Sequence, residues 1–281
     1  MTTEDRPFRV RDDLGREVAL PTWPEPGLRR VVSLCPSVTE TIFELGAGSR
    51  LAGRTRYCIR PATAVDRVSE VGGTRSLRVD RVLALAPDLV LAVKEENEAA
   101  DIERLTAEGV PVFVFDVKDV STTLHMIRSL GTLLGRDAAA DELTQQIRAE
   151  CALCAAPPRV PDNAARMRVL YLIWRDPWMA AGTGTYIANA LAFGGFTNIA
   201  SEPRYPTIGE AMLREFEGDA ILLSSEPFPF THEHIEEVRR LVPPRVKVVL
   251  VDGESFSWYG SRTRHLPAAL RSLHLQLLDD R

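Results

Sequence analysis

The side chains of this 281-residue chain best placed to do chemistry together are aromatic rings and arginines. Trp174, Arg175, Asp176, Pro177 and Trp178 stand side by side, and Arg204 and Tyr205 follow. Phe228 and Phe230 come next, and Phe256, Trp258, Tyr259 and Arg262 form a last group. The first half carries Arg54, Arg56, Tyr57, Cys58 and Arg60, then Gly72, Gly73, Thr74 and Arg75. Rings give broad contact area at low entropy cost, and guanidinium groups give forked donors to anionic groups. Such a set suits the grip of a bulky small molecule. It does not suit bond-making, because a nucleophile needs a base and an orienting group within reach. Of the five histidines, His125, His232, His234 and His274 fall in helical stretches, and none of the five, His265 included, neighbours a serine or cysteine at a strand end. No residue is assigned as catalytic, and the chain is not read as an enzyme.

Metal and phosphate chemistry find partial signals only. Cys151 and Cys154 have the spacing of a zinc or redox half-site but no second pair, so two ordinary thiols is the preferred reading. Cys35 and Cys58 both fall in loops expected to face the cleft, where a thiolate could meet a bound metal centre. Small buried cysteines are also ordinary packing residues. His232 and His234, two apart on a helix, point to different faces. Gly182-Thr183-Gly184-Thr185 precedes a helix and could cradle an anion, but it lacks the Lys-Ser/Thr ending of a phosphate-binding loop.

Composition bounds the rest. A hydrophobic fraction of 45% with 26% charged residues is that of a folded globular chain. The net charge of −5 leaves no basic excess to neutralise a phosphate backbone, which excludes nucleic-acid binding as the main role. No apolar run approaches the roughly 20 residues of a membrane helix. The opening MTTEDRPFRVRDDLGREVALP has no apolar signal-peptide core, so the expectation is cytoplasmic. A periplasmic or lipid-anchored location is the alternative if the natural N-terminus differs.

The elements that would position these side chains follow α/β grammar. Strands are expected at Arg30–Leu34, Asp88–Val93 and Val110–Phe115 in the first half, and at Arg168–Trp174, Asp219–Leu223 and Val246–Val251 in the second. Pro111 puts the third strand near an edge or delays its start. Helices are expected at Thr39–Leu45 and at Tyr186–Phe193, the latter stopped by Gly194-Gly195. VDRVLALAPDLVLAVKE from Val79 is answered by IGEAMLREFEGDAILLSSE from Ile208, and EGVPVFVFD from Glu108 by PPRVKVVLVDG from Pro243. The halves therefore read as a repeat. Helical spacing across 121–156, with Ser121 as its N-cap, predicts one long helix between them. The expected division is an N-terminal lobe over residues 1–120, a connecting helix over 121–160 and a C-terminal lobe over 161–281. Ligands of open parallel sheets sit beyond the carboxyl ends of the strands, so the ring-bearing loops are expected around one cleft.

The stretches VVSLCPSVTETIFELGAGSRLAGRTRYCIRP and VGGTRSLRVDRVLALAPDLVLA resemble the helical-backbone (class III) solute-binding proteins of cobalamin and ferric-siderophore ABC importers. So do WMAAGTGTYIANALAFGG, PTIGEAMLREFEGDAILLSS and DGESFSWYGSR, and the likeness runs from about residue 8 to the end. The resemblance implies two Rossmann-like lobes with parallel sheets joined by a single long α-helix, a ligand cleft between them and a monomer. It implies that Glu40 and Glu210 engage ABC transporter membrane subunits, and the repeat puts both acids near starts of equivalent helices. It implies ligand contacts from Tyr57, Arg75, Trp174, Trp178, Tyr205, Phe256, Trp258, Tyr259 and Arg262. Thr74 stands where a cleft tryptophan can occur in cobalamin importers. The implied ligand is cobalamin or another corrinoid, with a ferric siderophore or haem as alternative. A cytoplasmic metal-chelate carrier using Cys35 or Cys58 is a further alternative.

Overall fold

Short apolar runs form the central strands of each parallel sheet, and the helices between them turn one apolar face inward. The computed structural model describes residues 8–21, 28–154 and 166–278. In chain order the elements are β1 (Phe8–Arg11), β2 (Glu17–Leu20), β3 (Val31–Ser33), α1 (Pro36–Glu44), β4 (Leu51–Arg54), α2 (Ala62–Val65), β5 (Ser69–Glu70), α3 (Val79–Ala84), β6 (Leu89–Val93), α4 (Ala99–Ala107), β7 (Val112–Phe115), α5 (Val120–Leu133) and α6 (Asp137–Cys154). They continue with β8 (Arg168–Trp174), β9 (Met179–Ala180), α7 (Tyr186–Phe193), β10 (Thr197–Asn198), α8 (Glu210–Arg214), β11 (Ala220–Ser224), α9 (His232–Leu241), β12 (Lys247–Val251), α10 (Gly253–Ser257) and α11 (Leu266–Leu278). The chain divides into two compact units, Met1–Val117 with Ser121–Gln146, and Lys118–Val120 with Ile147–Arg281. No helix among the described residues is long and apolar enough to cross a membrane.

The first unit is built on a parallel sheet in the order β5-β4-β3-β6-β7. Every residue of β6 is buried, and each large aliphatic side chain hidden there contributes about 1.5–3 kcal/mol. β7 starts just after Pro111 and is the end strand, as the proline implies. A hairpin of β1 and β2, which the sequence reading does not anticipate, covers that edge. The buried Asp12 carboxylate accepts from the amides of Leu14, Arg16 and Val114, and Asp13 N–H donates to Val114 O. An end strand so occupied cannot template pairing with another chain.

The second unit repeats the plan. Its parallel path is β10-β8-β11-β12, with β9 antiparallel on β8. β3, β6 and β7 have their counterparts in β8, β11 and β12, as the two answered phrases predict. The aspartates of those phrases explain their own recurrence. Asp88 Oδ2 accepts from the Arg29 and Arg30 amides at 2.8 and 2.9 Å, and Asp219 Oδ2 accepts from the Arg168 amide at 2.7 Å. Each carboxylate thus fixes the start of the neighbouring central strand.

The segment expected as one helix is two. α5 ends at Leu133, Gly135 takes φ +57°, and α6 starts at Asp137. Glycine adopts that left-handed backbone without strain, which closes the first helix. Ser121 is therefore inside α5 rather than its N-cap. The long joining helix is α6, and the division between the units falls within it, after Gln146. Pro157 and Pro158, expected to end the helix, lie outside the described residues.

Candidate functional site

Within each unit the parallel strands end along one edge, and the loops that leave this edge carry most of the candidate residues. In the first unit, Cys35 follows β3 and is the N-cap of α1, buried. The Thr39 hydroxyl lies 2.8 Å from Ser33 Oγ, 3.0 Å from Cys35 O and 3.1 Å from Cys58 Sγ. Thr55 Oγ1 stands 3.2 Å from the same sulfur. Burial pushes the Cys58 thiol up from its ordinary value, against the lowering effect of those hydroxyls and of Arg54. The buried Cys58 thiol thus has the hydroxyls of Thr39 and Thr55 as its partners. Among the described residues no group of three or more His, Cys, Asp or Glu is placed to hold a metal ion.

Tyr57, next to Cys58, is 53% exposed, and the Arg56 guanidinium carbon is 5.8 Å from its ring centre. Arg75 is exposed but not idle: it meets Glu98 Oε1 at 2.9 Å and Glu95 O at 3.2 Å. Arg54 lies 4.0 Å from Asp66.

In the second unit, Trp174 is the last residue of β8 and is 40% exposed, edge-on to Phe228 at 5.8 Å. Trp178 is 8% exposed and stacks on Phe230. The Arg175 guanidinium lies over the Trp178 ring at 5.8 Å and is held by Glu237 and Asp176, both at 2.7 Å. Tyr205 is half-buried in a strap that runs beside β9. Ala180 N–H donates to Pro206 O, and Gly182 N–H to Arg204 O.

The last expected group differs from its sequence reading. Phe256 is not in an open loop: it lies in α10, 1% exposed, against Tyr171. Trp258 and Tyr259 are buried as well; Tyr259 meets Tyr186 edge-on, and Arg262 lies over the Trp258 ring while pairing with Glu254 at 2.9 Å. The sequence reading missed Glu226, at the carboxyl end of β11. It accepts a hydrogen bond from Ser257, and burial pushes its carboxyl above the usual range, helped by the nearby Glu254 and Asp252 charges. Its signal in the sequence was an acid two residues past an apolar strand.

The two acids assigned to docking do not open equivalent helices. Glu40 is the fifth residue of α1, which follows the central strand β3. Glu210 is the first residue of α8, which precedes β11, and it pairs with Arg214 at 2.6 Å. The counterpart of α1 is α7, so the repeat does not relate these two positions.

A family model described as periplasmic binding protein matches residues 31–240. A vitamin B12-binding protein of Pectobacterium carotovorum subsp. carotovorum is 25% identical over 238 residues, covering 83% of this chain and 84% of that one. A cobalamin-binding protein of Halobacterium salinarum is 30% identical over 223 residues, covering 77% of this chain and 58% of that one. Among solved structures, the periplasmic heme-binding protein RhuT from Roseiflexus sp. RS-1 matches with a TM-score of 0.74 at 23% identity, covering 90% of this chain and 99% of that one.

Proposed function

This chain belongs to the periplasmic binding protein family, and on that premise we propose that it is a non-enzymatic solute-binding protein whose ligand is a corrinoid. The carrying observation is how its arginines are spent. Arg54, Arg75, Arg175 and Arg262 are each matched to a carboxylate of this chain. A polyanionic chelate recognised through guanidinium groups would have to break those pairs. A corrinoid, fringed with neutral amides, asks instead for ring faces and scattered polar groups. The exposed Tyr57 of the first unit and Trp174 of the second, with the half-buried Tyr205, supply rings of that kind. The names of the two curated relatives point the same way.

Haem or a ferric siderophore is the second reading. It draws on Arg56, whose guanidinium meets the Ser76 hydroxyl and the Tyr57 ring, and on the likeness to the heme-binding RhuT. The carrier reading through Cys35 or Cys58 has less support, since both thiols are buried.

The family description supports a periplasmic location over the cytoplasmic expectation. In this reading the loaded protein, as a monomer, meets the membrane subunits of an ABC importer through Glu40 and Glu210. Of the other residues expected to touch the ligand, Arg75 is exposed and paired with Glu98, whereas Trp178, Phe256, Trp258 and Tyr259 are buried and Arg262 is paired with Glu254.

Titration of the purified protein with cyanocobalamin, hemin and a ferric hydroxamate siderophore, followed by tryptophan fluorescence and calorimetry, tests this. The expected result is one-to-one binding with cyanocobalamin preferred by at least about tenfold, or 1.4 kcal/mol. Tighter binding of hemin or of the siderophore would overturn the corrinoid reading.

A further inference from the structure

We propose that Asn97 is a positioning residue for the ligand-facing surface of the first unit, fixing the turn on which the Tyr57 ring rests. The inference deepens the corrinoid reading above and rests on it.

Asn97 lies between β6 and α4, is buried, and spends its side chain on backbone alone. Its Oδ1 accepts from Val93 N–H at 2.9 Å, and its Nδ2 donates to Leu34 O at 3.1 Å and to Thr74 O at 3.2 Å. These atoms belong to the end of β6, the end of β3 and the tip of the turn that follows β5. An asparagine side chain has two N–H donors and one carbonyl acceptor, and here all three groups are engaged. Aspartate matches the shape but lacks both donors, and alanine lacks all three.

Asn97 holds the tip of this turn at Thr74, one residue before Arg75, which meets Glu98 and Glu95 O. Gly72 sits at φ +112°, Gly72 bridges to Leu77, and Gly73 N–H donates to Ser76 O at 3.1 Å. Gly73 is where the turn meets Tyr57. A Cβ there would stand 3.2 Å from Tyr57 Cε2 and 2.6 Å from Ser76 Oγ. The ring therefore lies against bare backbone. Arg56 reaches back to Ser76 Oγ at 3.2 Å and closes the other side. The line of contact runs from Asn97 to Thr74, to its neighbour Gly73, and on to Cε2 of the Tyr57 ring. Tyr57 is more than half exposed, so this backbone is the seat that sets its ring plane.

A double-mutant cycle on cyanocobalamin affinity tests the proposal, at a temperature where all variants are folded. Asn97→Asp and Tyr57→Ala are each expected to weaken binding about tenfold, and the double variant is expected to bind no worse than Tyr57→Ala alone. An Asn97→Asp affinity equal to wild type overturns the inference, and so does an effect that multiplies in full with that of Tyr57→Ala. Asn97→Ala goes through the same cycle if the buried aspartate prevents folding. Wild-type protein that ignores cyanocobalamin overturns the reading beneath. Amide hydrogen exchange in the ligand-free protein then decides the role of Asn97 separately. Faster exchange at residues 72–77 in the Asn97 variants supports it, and unaltered exchange overturns it.

Discussion

Glu237 grips Arg175 with both carboxylate oxygens, at 2.7 Å from Nη2 to Oε1 and 2.9 Å from Nε to Oε2. Hydrogen bonding to Glu237 pushes the guanidinium still further up from its already high range. The charge beside Trp178 is therefore cancelled within the protein. Glu237→Gln keeps the shape and removes one of the two carboxylates on Arg175, leaving Asp176 at 2.7 Å. The variant should bind hemin about tenfold more tightly, the scale of one charge-assisted hydrogen bond gained, with cyanocobalamin affinity nearly unchanged. Spectrophotometric titration with both ligands measures it. An unaltered hemin affinity would take Arg175 out of the ligand surface.

Trp174 and Trp178 are four residues apart and should answer alanine in opposite ways. Trp174 is partly open and touches Phe228 by an edge, so Trp174→Ala should leave stability within about 1 kcal/mol while weakening ligand binding about tenfold. Trp178 is nearly sealed among Ala180, Ile208 and Phe230, so Trp178→Ala should cost about 3–5 kcal/mol of stability. Urea unfolding and ligand titration on both variants separate the two roles. Equal losses of stability would mean that exposure is a poor guide to function at this edge.

That contrast also marks what could be read from the sequence. β8 and α7 were legible to the residue, because RVLYLIW is an unbroken apolar run and Gly194-Gly195 stops the helix. β4 was not: its LAGR is short, and Gly53 is there because a Cβ would stand 2.7 Å from Leu85 Cδ1, a tertiary cause invisible in pattern. The β1–β2 hairpin was missed although FRVR and EVAL flank a tight turn, since its anchor, Asp12 on Val114, spans 102 residues of chain. For the site, Tyr57, Trp174 and Tyr205 were picked out through the family resemblance, and only Trp174 stands at the end of an expected strand. The burial of Phe256, Trp258 and Tyr259 was not, because 253–265 is a short α-helix followed by 3-10 turns with no period long enough to show an inner face.

Glu226 should give the protein a pH signature. Burial first, then the charges of Glu254 and Asp252, raise its carboxyl above the ordinary value, against the hydrogen bonds from Ser257 and Trp258. A carboxyl raised in the folded state holds its proton longer there than in the unfolded chain. Its stabilising effect is complete below the unfolded value, about 4.3, and is lost as pH rises through the raised folded value. Glu226→Gln cannot titrate and keeps an acceptor for Ser257. Relative to wild type, the variant should gain stability between pH 4 and pH 7. Urea midpoints at both values check this, and a constant difference between the two proteins would mean that Glu226 titrates normally.

Cys58 offers the sharpest test of metal-centred chemistry. Its thiol is buried, pushed up by that burial, and touched by the hydroxyls of Thr39 and Thr55. At pH 7.5 the native protein should leave Cys58 unmodified by iodoacetamide, while the urea-unfolded chain reacts, because the thiolate is the reactive form. Peptide mapping by mass spectrometry reads the site directly. Cys58→Ala should cost about 1–3 kcal/mol, since two buried hydroxyls lose a partner. It should leave the visible spectrum of bound cyanocobalamin unchanged. A shifted cobalt absorption band in that variant would restore Cys58 as a ligand of the metal and would require the loop after β4 to open when the corrinoid arrives.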